Sequence, residues 1–471
     1  MFKRKLIAVA IAMTFAGPAP AQDAELAKIR EEIRQMREGY ERRIDALEKR
    51  LVEAEAKAGK TGTSAAKAET AAAASPGRSA SDGAPNSAFN PSISLILQGT
   101  YASTSQDPNT YRITGFVPSG GEVGPPKRSF GLAETELTFS ANIDPYFRGV
   151  VIAALTPENE AEVEEAYFQT LALPRGFTLK GGRFLSGIGY QNEIHQHAWD
   201  FQDAPLPYKA FLGGRLGQDG VQLRWLAPTP IFLELGAELS SGDAFPGSDR
   251  NKNGVGGSSI FGHLGGDIGR STAWRTGLSY LRASPQDRGY EDLDSLGGAV
   301  ANGFTGKARL WVADAVLKWA PNGNASYTNF KLQGEYFRLK QDGRLTYDDS
   351  GGSNLFGAVS DYFNTNQSGW YAQGVWQFMP RWRAGYRYDA LRHGTVSNGI
   401  VNNGLGPASA DFPLLASHNP SRNTLMLDWS PTEFSRLRLQ FASDKSRLGE
   451  TDHQVFLQYI HSLGAHGGHK F

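Results

Sequence analysis

Two groups of histidines are the residues whose type and spacing suit coordination chemistry. His195 and His197 lie in the segment Glu193-Ile194-His195-Gln196-His197-Ala198-Trp199-Asp200. In an extended chain alternate residues project to the same side, so the two imidazoles would converge, with Glu193 or Asp200 available to complete a zinc shell. Two histidines alone do not make a closed site, and the plainer reading of the segment is a hydrogen-bonded loop. The second group, His461, His466 and His469, is interspersed with glycine near the end of the chain, a composition that can gather a metal ion. Neutral imidazole is the ligand form, so binding by either group should fall away below about pH 6. Asp249-Arg250-Asn251-Lys252-Asn253-Gly254 matches the first half of a calcium loop, but its twelfth position is Ile260 and not a bidentate Glu, so a polar loop is expected there. No nucleophile–base pair can be argued from the residues. An enzyme is therefore not expected, and no cofactor other than zinc is suggested.

A larger set of charges sits in short segments that alternate apolar and polar, such as Val221-Gln222-Leu223-Arg224-Trp225 and Leu425-Met426-Leu427-Asp428-Trp429. Period-two alternation places one set of side chains on each face of a sheet. By that rule Arg224, Lys331, Arg383, Arg387, Arg436 and Arg438 share a face with Glu165, Glu234, Glu238, Asp314, Glu335, Asp389 and Asp428. In a membrane barrel that face must turn inward, because Arg or Lys on the lipid side near mid-bilayer costs ~2–4 kcal/mol. Such residues would line a wet pore, or pair with one another across strands. A soluble sandwich would show the same local pattern, so alternation alone does not choose.

The connections choose. Sixteen strands are expected between residues 93 and 463. Tight turns at Asp144-Pro145-Tyr146, Pro174-Arg175, Pro228-Thr229-Pro230, Gly269-Arg270, Pro321-Asn322, Pro380-Arg381 and Pro431-Thr432 alternate with long segments such as 104–128, 186–217, 284–305, 341–366 and 392–421. Short turns on one side and long loops on the other are the signature of an up-and-down outer-membrane barrel. Aromatic residues near strand ends, among them Trp311, Trp319, Trp370, Trp376, Trp382, Tyr388, Trp429 and Tyr459, suit girdles at the two interfaces. The segment carrying Glu193, His195, His197 and Asp200 falls in the third long loop, where an inward fold would make it a constriction.

The rest of the chain agrees. Its 471 residues carry 48 basic and 48 acidic side chains, a balance that gives nucleic acid no hold. There is no cysteine, and the mean hydropathy of -0.39 is what a barrel shows when only every second residue meets lipid. Lys3, Arg4 and Lys5 precede an apolar run of 11 residues, Leu6 to Ala16, then Ala19-Pro20-Ala21. A spanning helix needs ~20 residues, so residues 1–21 read as a secretory signal peptide. In residues 22–58, Leu26, Ile29, Ile33, Met36, Tyr40, Ile44, Leu47, Leu51, Ala54 and Ala58 form an apolar seam with a stutter at Tyr40, which predicts a periplasmic α-helical coiled coil of ~50 Å. Trimerisation is the expectation, with dimers its competitor. Residues 59–90, rich in Ala, Ser, Gly and Pro, form a flexible linker, and 91–471 form the barrel.

A signal peptide, a coiled coil and a 16-stranded antiparallel β-barrel together resemble the bacterial outer-membrane porins, particularly the phosphate-selective and sucrose-porin type. The run Glu165-Ala166-Tyr167-Phe168 through Leu179-Lys180-Gly181-Gly182-Arg183-Phe184 to Gly187-Ile188-Gly189 is similar to the strand pair leading into the third loop of that group. The ending His-Ser-Leu-Gly-Ala-His-Gly-Gly-His-Lys-Phe looks like the tail of receptors described as zinc-regulated and TonB-dependent, although the barrel is too short for that fold. The resemblance implies a passive diffusion channel for small hydrophilic solutes or ions in the Gram-negative outer membrane. It also implies contact with lipid and lipopolysaccharide, dependence on the barrel assembly machinery, and a homotrimer. Two other readings stand beside it: metal acquisition through the histidines, and an envelope tether in which the barrel only anchors the coiled coil.

Overall fold

The computed structural model describes residues 91–120, 123–157, 160–352 and 356–464. The expected signal peptide, coiled coil and linker, and the histidines His466 and His469, lie outside the described residues. Eighteen hydrogen-bonded segments form one antiparallel sheet that closes on itself. Two pairs of segments continue one another, so the wall has sixteen staves. They are β1 Ser92–Thr104, β2 Ser129–Leu132 with Thr135–Asn142, β3 Phe147–Leu155, β4 Ala161–Thr170, β5 Phe177–Leu185 and β6 Gly217–Leu226. Then follow β7 Phe232–Ser240, β8 Gly257–Ile268, β9 Thr272–Ala283 continued by Arg288–Leu293, β10 Ala299–Trp319 and β11 Asn329–Tyr347. The last five are β12 Val359–Met379, β13 Trp382–Asn398, β14 Ser421–Thr432, β15 Ser435–Asp444 and β16 Asp452–Gly464. Closure comes from β1 against β16, with Leu97 opposite His461 and Gly99 opposite Tyr459. A closed ring leaves no unpaired edge, as lipid requires.

Turn chemistry sets the short end. Asp144 Oδ1 accepts hydrogen bonds from the backbone N–H groups of Tyr146 and Phe147 at 2.7 and 2.8 Å, an Asx turn that reverses the chain at once. Other tight turns place Arg175, Asn322 and Arg381 at positive φ. The expected sixteen strands are all present. Four of them are longer than the alternation predicts, however, and parts of the expected loops 284–305, 341–366 and 392–421 are strand. β10 and β12 each run 21 residues, against the ~9–11 that a bilayer needs.

The reason is a change of polarity partway up these staves. On β11 the outward residues pass from Leu332 and Tyr336 to Arg338, Lys340, Asp342 and Arg344, all exposed. The inward residues pass from Gln333 and Glu335 to Phe337, Leu339, Leu345 and Tyr347, all buried. Lipid outside and polar contents inside give way to water outside and an apolar core inside. Reading for apolar-out strands therefore stops too early. Aromatic pairs mark the boundary: Tyr280 meets Trp311 at 4.6 Å between ring centroids and Trp370 meets Tyr388 at 5.4 Å. Nearer the turn end Trp382 stacks on Trp429 at 5.9 Å. Trp311 and Trp319 bracket one stave about 26 Å apart along the strand at ~3.3 Å per residue, which suits two interfacial girdles.

Leu425 lies between the girdles on the outer face of β14, 57% exposed. Leu425→Arg should lower the folding stability of the barrel in lipid vesicles by about 2–4 kcal/mol, read by denaturant titration. Arginine at an exposed position above the girdle, as in Lys340→Arg, should leave stability unchanged.

Candidate functional site

The third long loop, residues 186–216, turns into the barrel. Backbone taken out of water must have its polar groups met, and here carboxylates on the wall meet them. Glu165 Oε1 accepts from Leu185 N at 3.0 Å, and Glu238 Oε1 accepts from Gly187 N at 2.8 Å. Glu335 accepts from the N–H groups of Tyr190 and Gln191 at 3.2 and 3.0 Å and from the hydroxyls of Tyr208 and Tyr371. Asp389 Oδ1 accepts from Leu206 N at 3.1 Å. Gly189 has φ of +68°, and a Cβ there would come within 2.4 Å of Glu335 Oε2, so glycine is what lets the backbone approach. Within the loop a short helix, α1 (Leu206–Leu212), buries every residue. Leu206, Tyr208, Phe211 and Leu212 pack with Leu310, Val312, Phe337, Leu339 and Leu391 from the wall and Phe116 from the first long loop. On the side of β10 to β13 the loop end of the lumen is therefore packed with apolar side chains. The expected polar inner face continues to the loop end on β14 to β16, at Arg422, Asp444 and Gln454, and changes character with height on β10 to β13.

Ion pairs fix the lower side of the loop. Asp200 meets Lys331 at 2.9 Å and Arg383 at 3.1 Å. Asp428 joins Arg383, Arg438 and Arg436 at 2.5, 2.8 and 3.9 Å, and Arg436 and Arg438 donate to the carbonyls of His197 and Trp199. Asp203 is held by Arg387 at 3.1 Å, by Lys209 at 3.0 Å and by Arg422. Arg387 also meets Asp389 at 3.0 Å. Arg224 pairs with Glu193 and, at 3.3 Å, with Glu234, which contacts His263 at 3.0 Å. Burial would raise the Asp203 carboxyl, but Arg422, Lys209 and Arg387 hold it well below the usual carboxylate range. Burial likewise opposes ionisation of Asp200, and Lys331 with Arg383 overcomes it. The Lys209 ammonium is lowered, burial outweighing Asp203.

His195 and His197 are brought together, though not by an extended chain. A 3-10 turn at Gln196–Ala198 stacks the two rings 5.9 Å apart. They meet carboxylates from β2 and β4. His195 Nδ1 lies 3.3 Å from Glu136 and 3.1 Å from Glu164, and its Nε2 lies 3.1 Å from Glu165. His197 Nδ1 lies 2.9 Å from Glu136. Glu164 and Glu165 point the same way because β4 carries a register shift against Ile152 and Ala153 of β3, a bulge that breaks the alternation. Arg215 bonds Glu164 and, at 3.0 Å, Glu134. The expected partners Glu193 and Asp200 do not join this cluster; each is taken by cations elsewhere. His461 is also apart, on the outer face beside Tyr459 at 3.3 Å, so it forms no common site with the loop pair.

Arg224, Lys331, Arg383, Arg387, Arg436, Arg438, Glu165, Glu234, Glu238, Asp314, Glu335, Asp389 and Asp428 all point inward, as alternation predicts. The residues that alternation missed are Glu136 and Arg422, legible by the same rule, and Glu164, concealed by the bulge. Asp203, Lys209 and Arg215 lie in the loop, where no period signals a partner. Below the loop is a cavity of about 1490 Å³ lined by Glu136, Glu165, Glu193, Glu234, Arg275, Lys318, Lys331 and Arg383. Charges of both signs alternate around the ring: Arg148, Lys180 and Arg224 on β3, β5 and β6 stand among the acidic residues of β2, β4 and β7, and Arg275, Lys318, Lys331 and Arg383 come from β9, β10, β11 and β13.

A closed ring of sixteen antiparallel staves with tight turns at one end and the third loop folded inside is the fold of the outer-membrane porins. The chain is similar to a loop-deletion mutant of OmpT, an outer membrane protein of Vibrio cholerae, with a TM-score of 0.50 and 9% identity over 80% of this chain and 100% of that one. It is also similar to the outer membrane channel DcaP of Acinetobacter baumannii, at a TM-score of 0.47 and 12% identity over 80% and 97%. An anion-selective porin from Comamonas acidovorans gives a TM-score of 0.46 and 9% identity over 80% and 100%. No family model matches. In sequence, the chain is 31% identical over 414 residues, 82% of its length, to an uncharacterized protein of Aquifex aeolicus (strain VF5), covering 80% of that protein. The chain belongs to the same family as that protein.

Two predictions follow from the docking. Glu335→Ala leaves the N–H groups of Tyr190 and Gln191 and two tyrosine hydroxyls without their acceptor, which should cost about 3 kcal/mol of stability, measured by denaturant titration in detergent. Asp203 ionises more readily folded than unfolded, so its stabilisation is present above the ordinary aspartate pKa and is lost as pH falls through the lowered folded value. Asp203→Asn should accordingly lower the Tm at pH 7. Its difference from the native chain should close only in strongly acidic buffer.

Proposed function

We propose that this protein is a passive outer-membrane channel for small hydrophilic solutes, not a catalyst, with the third loop as its constriction. The observation that carries the reading is the loop bolted inside a closed barrel above a polar cavity lined by charges of both signs. Such a lining holds polar solutes and keeps the passage wet while most charges are compensated. The residues that set the passage are Glu193, His195, His197 and Asp200 on the loop. Opposite them stand Glu234, Lys331 and Arg383 on the wall. Arg224, Arg387, Arg436, Arg438, Glu238, Glu335, Asp389 and Asp428 act mainly by holding the loop where it narrows the lumen. By the rule that bacterial barrels keep their short turns on the periplasmic side, the cavity is the periplasmic vestibule. The seam from Leu26 to Ala58 supports a trimer joined by a periplasmic coiled coil.

Purified protein in a planar bilayer should give ohmic conductance with no energy source. Weakening the loop's anchors with the double variant Glu335→Gln/Asp389→Asn should raise single-channel conductance. A barrel that stays silent in both forms would overturn the channel reading, and a monomeric mass in detergent would overturn the trimer.

A further inference from the structure

The cluster around His195 gathers three carboxylates on one imidazole. Each group that faces its centre has its other atom already fixed. Glu164 Oε1 is bonded by Arg215, which leaves Oε2 toward His195 Nδ1. Glu136 Oε1 is bonded at 2.9 Å by His197, which leaves Oε2 toward the same nitrogen at 3.3 Å. The remaining ring nitrogen, His195 Nε2, faces Glu165 at 3.1 Å. With the Nε2 proton donated to Glu165, Nδ1 presents a lone pair to two carboxylate oxygens that also present lone pairs. Three acceptors converging on one point are satisfied by a positive charge there, which either a second ring proton or a metal ion supplies.

The spacing suits an ion there. The three ligand atoms lie within 4.8 Å of one another, and the nitrogen-to-oxygen edges are 3.1 and 3.3 Å. Bonds of about 2.0–2.1 Å at tetrahedral angles place neighbouring ligand atoms roughly 3.3–3.4 Å apart. A histidine whose far nitrogen donates to a carboxylate is also how proteins orient an imidazole toward a metal. Glu136 and His195 line the cavity below the loop, so an ion has an entry path and room for a water as its fourth ligand.

We propose that His195, Glu136 and Glu164 form a binding site for one divalent transition-metal ion of the zinc type, oriented by Glu165, His197 and Arg215. One imidazole and two carboxylates favour zinc or cobalt over calcium and magnesium, which take oxygen ligands in larger number or with several waters. The site joins the loop to β2 and β4, so a bound ion is a clasp on the element that narrows the lumen. This assignment does not need the channel reading, since it is tested by binding alone.

Full-length protein purified in detergent and stripped with a chelator should bind one zinc ion per chain with micromolar or tighter affinity in calorimetry. Magnesium and calcium at the same concentration should give no heat. His195→Gln and Glu164→Gln should each weaken zinc binding at least tenfold, and His466→Ala/His469→Ala should leave it unchanged. X-ray absorption at the zinc edge of the native chain, which needs no variant to fold, should show one imidazole with oxygen neighbours. Absence of binding below millimolar zinc would overturn the site. So would loss of binding in the His466→Ala/His469→Ala variant, or a shell made mainly of imidazoles.

Discussion

The interior of this barrel depends on one requirement: a loop withdrawn from water must find acceptors for its backbone N–H groups. The wall supplies them as carboxylates. Glu165, Glu238 and Glu335 accept from backbone N–H groups at the start of the loop and Asp389 from Leu206 at the head of α1, at 2.8 to 3.2 Å. A buried carboxylate is costly by itself and tolerable when its lone pairs are filled. The exchange is mutual: the loop's N–H groups stabilise the wall's charges, and the wall fixes the path of the loop. Glycine at Gly187 and Gly189 keeps that approach open.

Charge pairing extends the same logic to the lower side of the loop. Asp200 and Asp203 are single acidic side chains placed among several cations, and Asp428 from the wall joins the first of these groups. The inward cations of β11, β13, β14 and β15 are thereby partly neutralised where they face the loop. The open cavity is lined by Arg148, Lys180, Arg275 and Lys318 together with Glu136 and Glu165. Anchoring and the charged lining of the passage are thus two uses of one set of inward charges, divided by which of them the loop covers.

The tall side of the barrel shows how solvent on each face dictates side-chain character. Below the aromatic boundary the outer face meets lipid and is apolar, and the inner face holds Gln333 and Glu335. Above it the outer face carries Arg338, Lys340 and Arg344, and the inner face is Phe337, Leu339, Leu345 and Tyr347. There the staves behave as a soluble sheet with an apolar core, completed by residues such as Phe412 and Ile400 of the seventh long loop. The backbone ladder is continuous across the change, since Asp314 pairs with Glu335 and Phe304 with Leu345 in one register.

By itself the sequence determined the sixteen staves, their up-and-down order and the inward face of every charged residue singled out from alternation. Those properties follow from a period of two and from local turn chemistry at residues such as Asp144 and Pro174. It also marked 186–217 as the third long loop. Tertiary structure alone decided that wall carboxylates reach into that loop, because the partners are far apart in sequence: Glu335 meets Tyr190 across 145 positions and Arg422 meets Asp203 across 219. It decided the upper extent of β10 to β13, where solvent and core exchange sides. It placed Glu164 beside Glu165, because a one-residue bulge carries no sequence period. The two loop histidines were visible as a pair, but the carboxylates that face them were set by the closure of the ring.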